Sequence, residues 1–236
     1  MFRSNSKPYV LAALSLLTGG HVASAADLPQ RPEYKAPAIV TPAPSWTGCY
    51  IGGNVGYGWG RADVESSTGG ISWTNGGVIG GGQIGCDYQF AGTGFVVGIR
   101  DMFDWTGLSG SGTFASGALA GSIASSNTKW ANTLTGRIGY AVIPAGLFYV
   151  QGGGAWSRMD VTITNGAGVQ TGQFANNKGG YDVGAGFEYK FAPNWSGFIE
   201  YNYMNFGTNS ATTTTGVNVN LKKDSQNILF GVNWRM

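Results

Sequence analysis

GCYIGGNVGYGWGR, residues 48–61, alternates with a period of two. Cys49, Ile51, Val55, Tyr57 and Trp59 share one face with Gly53, while Tyr50, Gly52, Asn54, Gly56, Gly58 and Gly60 share the other. Alternate side chains of a strand point to opposite sides, so this reads as a strand with one apolar, aromatic face and one face of glycine and polar atoms. About 10 residues is the length a tilted strand needs to cross a bilayer.

Comparable segments recur. Val78 to Phe90 turns Val78, Ile84, Cys86, Tyr88 and Phe90 one way and Gln83, Asp87 and Gln89 the other. Phe95 to Trp105 follows, with Phe95, Val97, Ile99, Phe103 and Trp105 on the apolar side and Asp101 breaking that side. A bulge or a register change near Asp101 would relieve the clash of a carboxylate with lipid. Trp130 to Tyr140, Leu147 to Trp156, Tyr181 to Phe191, Trp195 to Phe206 and Asn227 to Met236 complete eight predicted strands. Long polar connections over 62–76, 107–127, 158–178 and 208–224 alternate with short turns. Trp59, Trp105, Trp130 and Trp156 fall near the long-loop ends, and Trp46, Trp195, Trp234, Tyr140, Phe148, Tyr189 and Phe191 near the short-turn ends. An even strand count, one-sided long loops and two aromatic belts predict an all-β, eight-stranded antiparallel up-and-down transmembrane barrel with short periplasmic turns.

Arg137, Glu188, Lys190, Glu200 and Arg235 fall on the inward phase, with Arg100, Asp87, Asp104 and Asp182 as further candidates. Eight strands leave an interior with room only for side chains, so these charges are expected to pair as a structural network. A gated, narrow ion path is the functional alternative. Cys49 and Cys86 lie toward the short-turn ends of neighbouring strands, where a cross-strand disulfide and two lipid-facing thiols are both open.

The 236 residues carry only 11% charged side chains and 41 glycines, and no apolar run is long enough for a membrane helix. The start reads as a signal peptide, residues 1–25: Arg3 and Lys7, the apolar Tyr9 to Leu17, then Ala23-Ser24-Ala25. Its removal leaves 12 Lys+Arg against 12 Asp+Glu and discards His21, the single histidine. A neutral mature chain predicts no nucleic-acid partner, and one without histidine excludes Ser-His-Asp and Cys-His chemistry. Two cysteines do not make a structural zinc site. Gly80-Gly81-Gly82-Gln83-Ile84-Gly85 fits the spacing of a dinucleotide loop, but a strand continues where a helix is required. No enzyme and no cofactor is expected. Residues 26–45 hold five of the eight prolines and read as a semi-rigid periplasmic tether ahead of the barrel, residues 46–236.

WTGCYIGGNVGYGWG, GGGQIGCDYQF, MFDWTGL, TLTGRIGYA, YVQGGGAW, GYDVGAGFEYKF, NWSGFIEYNYMNFG and NILFGVNWRM, in that order, resemble the small porin-like outer-membrane barrels of alphaproteobacteria. The resemblance implies a monomeric barrel of the cell outer membrane with a structural and surface role; a small passive channel is the alternative. Its partners would be outer-membrane lipid and lipopolysaccharide. Gly231, Trp234 and Met236 resemble the terminal signal read by the barrel assembly machinery, although Met236 stands where phenylalanine is usual. Arg100 departs from the acidic residue the family tends to carry there. In some members the mature N-terminus is linked to peptidoglycan, which would place that link on Ala26.

Overall fold

A computed structural model describes residues 45–66, 69–116, 120–212 and 218–236. The expected signal peptide, nearly all of the tether and Ala26 lie outside the described residues. Among the described residues there are nine strand segments: β1 (Gly48–Ser66), β2 (Gly69–Gln89), β3 (Phe95–Thr106), β4 (Ser109–Thr113), β5 (Ile123–Ile143), β6 (Gly146–Thr164), β7 (Gln170–Ala192), β8 (Trp195–Thr212) and β9 (Asn218–Arg235).

Every pairing is antiparallel, and β1 pairs with both β2 and β9, so the sheet closes on itself. The wall has eight strands. β4 prolongs β3 after a break at Gly107-Leu108: the β2 register runs from Ile79↔Thr106 to Gly76↔Ser109 without a shift. Closure gives each backbone donor and acceptor a neighbour, the requirement for any sheet that stands in hydrocarbon.

The strands are 18 to 23 residues long apart from β3 and β4, about twice what a membrane crossing needs. Most of the four stretches expected as loops are therefore paired strand. β1 and β2 pair as far as Ser66↔Gly69, and Asn165 to Val169 is all that separates β6 from β7. In β5 a bulge between Thr128 and Trp130 moves the inward positions from Ala124, Ser126 and Thr128 to Ala131, Thr133 and Thr135.

Outward residues are apolar over the predicted crossing: Ile51, Val55, Ile84, Ile99, Ile138, Val150, Val183, Ile199 and Phe230 are all exposed. Rings collect at its two limits. Phe95 meets Tyr140 edge-on at 5.1 Å near the short turns, and Phe103 contacts Trp105 at 5.2 Å and Trp130 at 5.8 Å near the other limit. Trp46 is a correction to these belts. It is 0% exposed and lies inside the barrel mouth against Val96, Leu147 and Tyr149. Asp101 brings a second difference: no bulge relieves it. The ladders run unbroken through Ile84↔Asp101 and Asp101↔Leu134, and the carboxylate stays on the outer wall, where Asn132 Nδ2 donates to it at 2.8 Å.

Candidate functional site

The interior charges come together in two layers. In the first, nearer the short turns, Arg137 on β5 reaches across the barrel. Its Nε donates to Asp87 Oδ1 at 2.7 Å, its Nη2 to Asp87 Oδ2, and its Nη1 to Glu188 Oε2 at 2.9 Å. Arg235 Nη2 shares Asp87 at 2.7 Å. Glu188 Oε1 accepts from Ser196 Oγ at 2.6 Å and from Asn233 Nδ2 at 3.0 Å. Two guanidiniums thus face two carboxylates, each carboxylate with several donors, as burial of charge demands.

Two aromatic rings clamp Arg137. Its guanidinium carbon lies 5.0 Å from the ring centres of both Tyr50 and Tyr149, a cation–π sandwich. Glycine makes the room. A Cβ on Gly85 would come within 2.5 Å of the Tyr50 ring, and one on Gly186 within 2.5 Å of the Tyr149 hydroxyl. The abundance of inward glycine is here a packing device, in which a small residue on one strand accepts a ring from the next.

Tyr149 joins this layer to the second, its hydroxyl donating to Glu200 Oε2 at 2.6 Å. Arg100 Nη2 donates to Glu200 Oε1 at 2.7 Å and to Gln151 Oε1 at 2.6 Å. Asn202 Nδ2 also donates to Glu200 at 2.7 Å. Arg100, the departure from the family pattern, is thus the sole ion-pair partner of Glu200 among the described residues. Asp104 and Asp182 are buried beyond this layer and make no ion pair among the described residues.

Lys190 is not part of either carboxylate layer. It is half-buried at the mouth, where its ammonium donates to the Ser45 carbonyl and lies 4.6 Å from the Trp46 ring centre. Arg235 Nη1 donates to the Trp46 carbonyl at 2.7 Å, and the Trp46 N–H donates to Gln89 Oε1 at 2.9 Å. The chain entering β1 therefore crosses the barrel mouth and seats an indole in it. The interior is also less purely polar than period-two reading implies. Ile79, Met102, Leu108, Phe198 and Leu229 form a buried cluster, and a cavity of about 20 Å³ beside it is walled in part by Asp104, Ser157 and Lys223.

Of the residues singled out in the sequence, Arg137, Glu188, Arg235 and Asp87 meet in the first layer and Arg100 and Glu200 in the second. Tyr149, Gln151 and Asn233 hydrogen-bond to these charged groups, and Tyr50 joins them through its ring against Arg137. Their inward phase was visible in the sequence; a search for charge alone passes over them. Cys49 and Cys86 pair directly across β1 and β2 and are joined by a disulfide, both on the outer wall. Gly231 faces inward, where a Cβ would strike the Phe198 ring, while Trp234 and Met236 face outward. The Met236 N–H donates to the Cys49 carbonyl at 3.0 Å, which closes the seam between the two ends of the barrel.

A closed sheet, greasy outside and ionic within over the crossing, has the construction of a membrane wall. The family described as "Outer membrane protein beta-barrel domain" matches residues 11–235. The chain belongs to that family. Its curated relatives include the 31 kDa outer-membrane immunogenic protein of Brucella melitensis, 29% identical over 84% of this chain and 89% of the relative. The 25 kDa outer-membrane immunogenic protein of Brucella abortus is 29% identical over 97% of this chain and 98% of the relative. Among solved structures, OprG from Pseudomonas aeruginosa covers 80% of this chain and 97% of its own at 14% identity, with a TM-score of 0.46. Neisserial surface protein A covers 80% and 98% at 14% identity, with a TM-score of 0.43. The barrel is an outer-membrane protein, and barrels of this kind carry their short turns on the periplasmic side.

Proposed function

We infer that this protein serves the outer membrane as a closed structural and surface barrel held from the periplasmic side by its N-terminal segment. The observation that carries this reading is the filled periplasmic mouth: Trp46 seated by Arg235, Lys190 and Gln89, with the Arg137–Asp87–Glu188 layer directly behind it. A solute would have to displace an indole and then separate buried ion pairs. The approach of the chain to β1 through that mouth suits a tether, and attachment of the Ala26 amine to peptidoglycan is its simplest form. A muropeptide digest with no Ala26-terminated peptide excludes that form. The strand ends beyond the outer belt offer antibody-accessible surface, in keeping with the immunogenic naming of the relatives.

Refolded protein in a planar bilayer tests closure. The expected result is a silent membrane; long-lived, uniform conductance steps would overturn it. Asp104 and Asp182 favour a second reading, a narrow cation path, because they place carboxyl groups in the lumen that make no ion pair among the described residues. On that reading the steps prefer cations, and Asp104→Asn with Asp182→Asn weakens the preference.

A further inference from the structure

The bulge in β5 sits where the outer ring belt gives way to the polar wall above it. Between Thr128 and Trp130 it leaves two successive residues, Lys129 and Trp130, on the outward side. Trp130 stacks on Phe103, which also contacts Trp105, so its ring marks the limit of the crossing. Lys129 is thereby fixed at the boundary between acyl chains and headgroups. It is exposed and makes no hydrogen bond or ion pair among the described residues. Arg61, on the opposite wall, differs. Its Nε donates to Asp63 Oδ1 at 3.0 Å and its Nη2 to Ser72 Oγ at 3.1 Å, so its charge is already engaged.

Beside Lys129 the outward wall of β4 to β7 carries a groove of about 510 Å³. Two rows of paired residues floor it. Ser109, Asn127 and Asp160 form the nearer row, and Ser111, Ser125, Thr162 and Gln173 the farther one. Apart from Asp160 and Gln173, none of these side chains hydrogen-bonds within the described residues. Arg158 Nε lies 3.8 Å from Asp160 Oδ1 and offsets that carboxylate, which leaves the Lys129 charge in surplus. At a rise of about 3.3 Å per residue and a tilt of about 40°, the nearer row stands roughly 5 Å beyond Trp130 and the farther row roughly 10 Å. Each headgroup layer of a phospholipid bilayer is only about 5–8 Å deep. The groove therefore continues past the reach of a phospholipid headgroup.

We propose that this groove binds the phosphorylated saccharide headgroup of the outer leaflet's lipopolysaccharide, with Lys129 on a phosphate and the two polar rows on sugar hydroxyls. A free ammonium at the headgroup boundary suits a phosphate, which pairs with it through charge-assisted hydrogen bonds. Hydroxyl and amide side chains both donate and accept, as sugar hydroxyls do. The farther row meets sugar because sugar is what stands at that height beside an outer-membrane wall. The binding rests on the place of the barrel in the outer membrane and not on closure of its lumen, so a conducting barrel leaves it standing.

The folded barrel in neutral detergent, titrated with purified lipopolysaccharide and followed by amide NMR, tests the proposal. Saturating shifts should appear at Lys129, Ser125 and Thr162 and not around Arg61. Lys129→Glu should raise the apparent Kd about five-fold or more, the order that one basic residue contributes at an anionic headgroup surface. Arg61→Glu, which breaks an existing exposed pair, should change it by less than about two-fold. Heat-modifiable gel mobility confirms that each variant is folded. Dephosphorylated lipopolysaccharide, and phosphatidylglycerol at the same mole fraction, should each bind about five-fold more weakly or worse. No saturating shift in the groove, equal losses from Lys129→Glu and Arg61→Glu, or phosphatidylglycerol binding as tightly as lipopolysaccharide would overturn the proposal.

Discussion

β6 runs through two environments, and its residues exchange roles between them. From Leu147 to Trp156 the outward positions are Phe148, Val150 and Trp156, while Tyr149 and Gln151 point inward. From Ser157 to Thr164 the outward positions are Arg158, Asp160 and Thr162, while Met159, Val161 and Ile163 are buried inside. The ladder with β7 runs in register from Gly146 to Ile163, while β5 carries its Thr128–Trp130 bulge opposite Arg158 and Met159. Below the outer belt the barrel is greasy outside and ionic inside; above it the order inverts, as in a water-soluble barrel. The β6 backbone does not register the change: its odd positions face inward throughout. What differs is the solvent, since apolar atoms face acyl chains where lipid surrounds the wall and retreat inward where water does.

The comparison can be broken at either end. Arg137→Met removes the cation between Asp87 and Glu188 and should cost about 3–5 kcal/mol, read as unfolding in urea from lipid vesicles, because it strands buried carboxylates. A change below 1 kcal/mol, on the order of ordinary surface substitutions, would mean the layer contributes little. Met159→Ala probes the inverted half and should cost about 2–5 kcal/mol as a core truncation; a negligible effect would show the extension to be unpacked. Val183→Arg on the lipid face should cost about 2–4 kcal/mol, according to depth. Thr162→Arg, outward on β6 beyond the belt, should change stability by no more than about 0.5 kcal/mol. Equal costs for these last two would remove the distinction between the halves.

The inversion also explains what could be read from the sequence. Within the crossing, Tyr181 to Phe191 alternates in one phase, so its strand and its inward Asp182 and Glu188 were legible. At Ser157 the apolar phase moves from even to odd positions of β6 while its inward positions stay odd, whereas in β5 the Thr128–Trp130 bulge moves the inward positions themselves from even to odd. A scan that holds one phase ends each strand there and calls the remainder loop. Arg137 with its carboxylates followed from inward charge and a narrow lumen. Trp46 did not, because a ring next to a strand start looks the same whether it lies in a lipid belt or turns into the mouth. The position of Asp101 was legible, but which relief it finds was not, since Asn132 reaches it diagonally from a neighbouring strand.

Methyl NMR in nanodiscs that contain spin-labelled lipid measures sidedness directly. Methyl signals of Val150, Val183 and Ile199 should broaden strongly, while those of Leu147 and Leu229 inside the crossing, and of Met159 and Val161 beyond it, should remain sharp. Broadening of Leu147 and Leu229 with Val183 and Ile199 spared would contradict the account.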